Sequence, residues 1–184
     1  YTASADTTIV NAWPMDELTT RKTGSNMGRA DVMEIFSIYG RFTTSSQELS
    51  RALIKFPIDQ ISAERTSGTV PASGSVSFYL RLYNAPISRT TPRDFRMVIQ
   101  PIFTAWQEGD GLDIYSYEDI TNGNVGANWM SASATTGWNS VSGGGDWLSS
   151  SADYRYESYF DRGTENIEVD VTPLVERWIK GAAG

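Results

Sequence analysis

Histidine and cysteine are both absent from this sequence of 184 residues, and lysine occurs only at Lys22, Lys55 and Lys180. Without histidine the usual general base, the commonest metal ligand and the side chain that titrates near neutral pH are all missing. Ser-His-Asp and Cys-His nucleophile schemes are thereby excluded, as are zinc sites built from imidazole and thiolate. What stays open is oxygen-ligand binding of a hard cation such as calcium, and chemistry by carboxylates, hydroxyls or lysine. A Ser-Lys pair has no motif to support it here. The lack of cysteine leaves no mark of an oxidising compartment, yet it does not argue against export, because a domain of this length stands without disulfides.

Long apolar runs are missing too, so no segment is expected to insert into a bilayer, and no basic start followed by an apolar stretch marks a signal peptide. The sequence begins at Tyr1 rather than methionine, so any targeting segment is expected to lie outside it. Fifteen basic residues against 22 acidic ones leave a net charge of −7. That sign opposes sequence-independent binding to phosphate backbones, and nucleic acid is not an expected partner.

What is present is a set of short apolar stretches punctuated by glycine, serine, threonine and asparagine, the pattern of strands joined by turns. From Val76 to Tyr83, Val76, Phe78, Leu80 and Leu82 face one way and Ser77, Tyr79, Arg81 and Tyr83 the other. The same period of two runs through Arg51–Phe56, Phe95–Gln100 and Ile167–Val171. One segment reads as helix: Thr172 as cap, Pro173 in the first turn, an apolar face of Leu174, Val175, Trp178 and Ile179, and Gly181 as stop. Strands without alternating helices predict an all-β fold, a two-layer antiparallel β-sandwich of jelly-roll type with one short C-terminal helix, as a single domain over residues 1–184. The stretch 106–151 stands apart. It carries four of the six tryptophans among glycine, serine, asparagine and acidic residues, and is expected to be a long, ordered excursion.

Several landmarks occur in a recognisable order: Ser4-Ala5-Asp6-Thr7-Thr8-Ile9, Asn26-Met27-Gly28, Ser50-Arg51-Ala52-Leu53-Ile54-Lys55-Phe56, Leu80-Arg81-Leu82-Tyr83, Trp106-Gln107-Glu108-Gly109, and Asp170-Val171-Thr172 leading to Trp178 and Gly181. Together they resemble the DNRLRE-type β-sandwich domains over nearly the whole chain. That family looks like carbohydrate-binding jelly rolls and occurs in extracellular bacterial and archaeal proteins and in phage structural proteins. The segments Glu108–Asp113, Gly126–Met130 and Gly163–Asp170 look most like versions in marine bacteriophage virion proteins. Members usually continue past the helix with at least one more strand. The resemblance therefore implies a closing strand beyond Gly184, from downstream residues or from another chain, with the alternative of a complete fold in which the helix from Pro173 to Lys180 covers the edge.

Trp106, Trp129, Trp138 and Trp147 are the candidate contact residues. Indole faces suit stacking on sugar rings or burial in a subunit interface, and they equally suit pinning a long loop onto a sandwich. Glu108, Asp110, Asp113, Glu118 and Asp119 form the densest acidic cluster; it reads first as a solvated loop, with calcium as the only metal its chemistry suits and no match to an EF-hand spacing. No catalytic residue and no cofactor site is expected. Arg51, outward on its strand, is expected to pair with Glu168 or Asp170. Two functions compete. The first is a bacteriophage virion structural protein, a tail-fibre or capsid-decorating module that forms a homo-oligomer and contacts other virion proteins. The second is an extracellular carbohydrate-binding module that recognises a cell-surface glycan.

Overall fold

Alternation in the sequence becomes antiparallel pairing in the computed structural model, which describes residues 1–88, 90–112, 125–148 and 154–181 and the backbone of 114–115 and 118–119. In chain order the elements are β1 (Ala5–Asn11), β2 (Ser37–Tyr39), β3 (Gln47–Lys55), α1 (Ile58–Ser67), β4 (Tyr79–Leu82), β5 (Phe95–Ile99), β6 (Ile114–Tyr115), β7 (Glu118–Asp119), β8 (Tyr156–Phe160), β9 (Ile167–Asp170) and α2 (Thr172–Ile179). The strands form small antiparallel sheets: β1-β3-β2 with three strands, and the pairs β4-β9, β5-β8 and β6-β7. The regular structure among the described residues is thus mostly strand, with two short helices. Among the described residues no helix is long and apolar enough to cross a membrane.

The expectation of one helix is corrected to two. Nothing in the apolar spacing of Ile58–Ser67 demands a helix, because Ile61 is its only buried residue. Its ends carry the signal instead. Pro57 stands at the N-cap, Asp59 in the first turn, Arg65 in the last, and Gly68 closes it in the left-handed conformation at φ 83°.

By its contacts the chain divides into two compact units. The first joins Tyr1–Phe56 to Thr104–Asp146, so the greater part of the long excursion belongs to it. Its centre is β3, with β1 on one side in register Ala5↔Lys55 to Asn11↔Leu49 and β2 on the other in register Ser37↔Leu49 to Tyr39↔Gln47. Four successive residues of β1, Thr7 to Val10, are buried, so both faces of this strand are covered. Burying a threonine hydroxyl without a partner would cost free energy. Both hydroxyls are engaged: Thr7 Oγ1 accepts from the Met27 amide and Thr8 Oγ1 from the Glu34 amide, each at 3.0 Å. The same device recurs at Ser50, whose Oγ accepts from the Phe36 amide at 2.7 Å and donates to the Glu34 carbonyl at 3.1 Å. Segment 26–36 is thereby tied across the sheet before it enters β2.

The second unit joins Pro57–Phe103 to Trp147–Gly184. In β4 and its approach, Val76, Phe78, Leu80 and Leu82 turn inward and Ser77, Tyr79, Arg81 and Tyr83 outward, the alternation expected from the sequence, although only Tyr79–Leu82 pairs as strand. In β5-β8, Phe95 stacks on Phe160 at 4.7 Å between ring centres. Helix α2 buries Leu174 and Val175, and Pro173 sits in its first turn. Thr172 is not its cap: Val171 holds that position without a side-chain hydrogen bond, while Thr172 Oγ1 accepts from the Phe78 amide at 2.7 Å. Glu176 is buried on the same helix and receives both terminal nitrogens of Arg65 from α1, at 2.6 and 3.1 Å. Those hydrogen bonds hold Glu176 below its ordinary pKa of 4.5 in spite of burial.

Candidate functional site

The excursion is fastened to β1 by a junction built around one side chain. Asn26 is 1% exposed; its Nδ2 donates to the Val125 carbonyl at 2.6 Å, and its Oδ1 accepts from the amides of Gly111 at 3.0 Å and Gly28 at 3.3 Å. Three glycines make this approach possible. A Cβ on Gly28 would run into the carbonyls of Glu108 and Gly109, one on Gly109 into the Asn26 amide, and one on Gly126 into the Gly109 backbone; Gly109 and Gly126 also hold φ of 85° and 91°. Beside it, Glu108 Oε1 accepts from the Asp6 amide at 2.8 Å. Burial, with the Glu108 charge second, raises the pKa of Asp6 above 3.8. Two landmarks far apart in the sequence, Asn26-Met27-Gly28 and Glu108-Gly109, therefore meet here. Their role as a joint was not visible in the sequence, where an isolated glycine signals only a turn or a close approach.

The four candidate tryptophans divide between buried and half-buried positions. Trp129 and Trp138 are buried in the first unit, and their indole N–H groups donate to the carbonyls of Ser142 at 3.0 Å and Asn128 at 2.9 Å. A covered ring with its donor engaged offers no open face to a sugar. Trp106 is half-buried in the first unit, and Trp147, also half-buried, lies in the second, where it bridges to Ile102. Gly143 and Gly144 lie against Trp129, and the Arg51 guanidinium sits 4.8 Å from the indole centre while donating to the Gly144 carbonyl. Burial lowers the pKa of Arg51. Arg51 was expected to pair with Glu168 or Asp170; Glu168 is bonded instead to Arg81 at 2.8 Å, and Asp170 accepts from the Thr172 amide.

Asp146 closes the neck of the excursion. It is 4% exposed and accepts from Thr104 Oγ1 at 2.6 Å, from the Asn139 amide and side chain at 3.0 and 2.9 Å, and from the Ser140 amide at 2.9 Å. Burial pushes its pKa up, but these hydrogen bonds outweigh it and hold the carboxyl below 3.8. Glu48, 1% exposed, is engaged through one oxygen, Oε1 accepting from the Trp13 amide at 2.8 Å and from Arg41 at 2.9 Å, while its Oε2 is buried without a hydrogen bond among the described residues. Of the acidic cluster, Asp113 lies outside the described residues, and Glu118 and Asp119 are described only as backbone in β7. Among the described residues no group of three or more carboxylates is placed to hold a metal ion.

Two surface features of the first unit remain. A depression of about 300 Å³ is lined by small polar side chains, Thr23, Ser131, Ser133 and the Asn128 amide, with Met130 beside them. The other lies in the segment that contains β2, where Val32, Ile35, Tyr39 and Phe42 are 48, 48, 67 and 60% exposed, although Met15, Leu112 and Val141 are exposed elsewhere in the same unit. The signal for it was in the sequence and went unread: from Ile35 to Gln47 the only charged residue is Arg41. Compared with known proteins, the chain matches no family model, no curated relative and no solved structure.

Proposed function

We propose that this chain is a non-catalytic building module of a virion, a tail-fibre or capsid-decoration part that works by association with copies of itself and with other virion proteins. The observation that carries this reading is the contrast between inside and outside in the first unit. Its buried carboxylates Glu48 and Asp146 and the indole N–H groups of Trp129 and Trp138 are turned inward and hydrogen-bonded within the fold, whereas large apolar side chains stand in solvent around β2. Several exposed large apolar side chains within one short segment suit an association surface. The resemblance to DNRLRE-type domains of marine bacteriophage structural proteins supports the virion setting. With it comes the finer architecture expected from the sequence, a two-layer jelly-roll sandwich, supported by the wholly antiparallel pairing of the described strands.

An extracellular carbohydrate-binding module is the second reading, favoured by the depression at Asn128, Ser131 and Ser133, whose hydroxyl and amide groups suit hydrogen bonding to a glycan. The two separate in one comparison. A building module sediments as an oligomer and leaves a polysaccharide array unbound. A sugar-binding module is monomeric, binds the array, and loses that binding on Ser131→Tyr, which fills the depression.

A further inference from the structure

The ladder between β2 and β3 fixes which way the β2 backbone points. Around Ile38↔Glu48, the Gly40 amide donates to the Ser46 carbonyl at 2.9 Å and the Ser50 amide to the Phe36 carbonyl at 3.1 Å, so Phe36, Ile38 and Gly40 are the residues bonded toward β3. In an antiparallel pair the alternate residues turn their amides and carbonyls the other way. Ser37 and Tyr39 therefore present an N–H and a C=O each along the outer edge of β2, where no described strand pairs with them.

We propose that this edge is where two copies of the chain join, β2 against β2, in antiparallel register with Ile38 opposite Ile38; the proposal rests on the assembly reading above and names its contact. The register is self-complementary. Ser37 of each copy faces Tyr39 of the other, both residues in each facing pair are of the outward-bonding kind, and each pair exchanges two N–H···O=C bonds. The two three-stranded sheets become one continuous sheet in the order β1-β3-β2-β2-β3-β1. Charge favours a second copy here over other parts of this acidic chain: between Ile35 and Gln47 there is no carboxylate to repel its equivalent, and the Arg41 guanidinium is engaged by Glu48 and the carbonyls of Trp13 and Pro14. Natural sheets guard open edges with charged side chains. The pairs of the second unit carry that protection, Arg81 with Glu168 on β4-β9 and Arg96 with Glu157 on β5-β8, and β2 does not. Exposed Ile35, Tyr39 and Phe42 supply apolar area flanking the junction.

Sedimentation velocity of the intact chain, from low micromolar to hundred-micromolar concentration, tests this against two variants. Ser37→Pro removes an outward amide from each copy and leaves the backbone bonds to β3 in place, losing only the 3.4 Å bond from Gln47 Nε2 to the Ser37 hydroxyl, which a proline on an edge strand permits. Tyr39→Lys places a charge on the edge. The expected result is a wild-type dimer, association weakened at least about tenfold in each variant, unchanged circular dichroism, and slower hydrogen exchange at the Ser37 and Tyr39 amides as wild-type concentration rises. Variants that associate as tightly as the wild type would overturn the β2 edge while leaving assembly to another face. A wild type that stays monomeric, with exchange at both amides independent of concentration, would overturn the β2 junction and count against assembly of copies as well.

Discussion

Replacing Asn26 by alanine is expected to loosen the whole first unit, because one side chain satisfies backbone groups from two distant segments. The substitution leaves the Val125 carbonyl and the Gly111 amide, bonded at 2.6 and 3.0 Å, without partners, and removes a longer third bond to Gly28. Each buried polar group left unsatisfied costs about 1–3 kcal/mol, so the two short bonds together set a loss of about 2–6 kcal/mol. Against a total stability of about 5–15 kcal/mol that is a large share, and for a chain of this length it lowers Tm by roughly 5–20 °C. Asn26→Asp keeps the acceptor for Gly111 but sets an oxygen against the Val125 carbonyl, and is expected to be at least as damaging near neutral pH. Guanidinium unfolding followed by circular dichroism and by tryptophan fluorescence gives the loss. Limited proteolysis gives its location, with new cleavage expected between Trp106 and Asp146. An alanine variant within about 0.5 kcal/mol of wild type, uncut across that stretch, would refute the reading of Asn26 as the anchor.

Gly126→Ala forces a Cβ into the Gly109 backbone at a φ of 91°, and is expected to cost more than about 2 kcal/mol by the same unfolding assay. Leu53→Ala, at a β3 position 3% exposed, is expected to cost about 2–5 kcal/mol. Acid should destabilise both units. Asp146 and Glu176 have folded pKa values below the ordinary 3.8 and 4.5, so their contribution is present above those values and is lost as pH falls through the lower folded ones. Urea midpoints measured downward from pH 5 check it, and a midpoint that rises with acidification would contradict it.

Legibility followed the physical range of each signal. Alternation is local, and Val76–Tyr83 turned the sides its sequence indicated; the helix at Thr172–Ile179 was marked by Pro173 and its apolar face. Helix α1 was missed because its evidence lies at its ends rather than along a face. Tryptophan content set the stretch 106–151 apart, part of which lies outside the described residues; which indoles are covered in the rest depends on contacts of Trp129 and Trp138 with Ser142, Asn128 and Gly143, which composition does not encode. The anchoring role of Asn26 has no local signal, since its partners lie 85 and 99 residues away. The β2 edge went unread because three paired residues are too few for periodicity to register.

The assembly reading meets its most direct test in the mass and stoichiometry of the native particle that carries this chain, determined by native mass spectrometry with cross-linking. The account predicts several copies in a fixed ratio to other virion proteins, joined by cross-links between the 32–47 segments of neighbouring copies. A monomer found apart from any particle, with tryptophan fluorescence that shifts on adding polysaccharide, would contradict it.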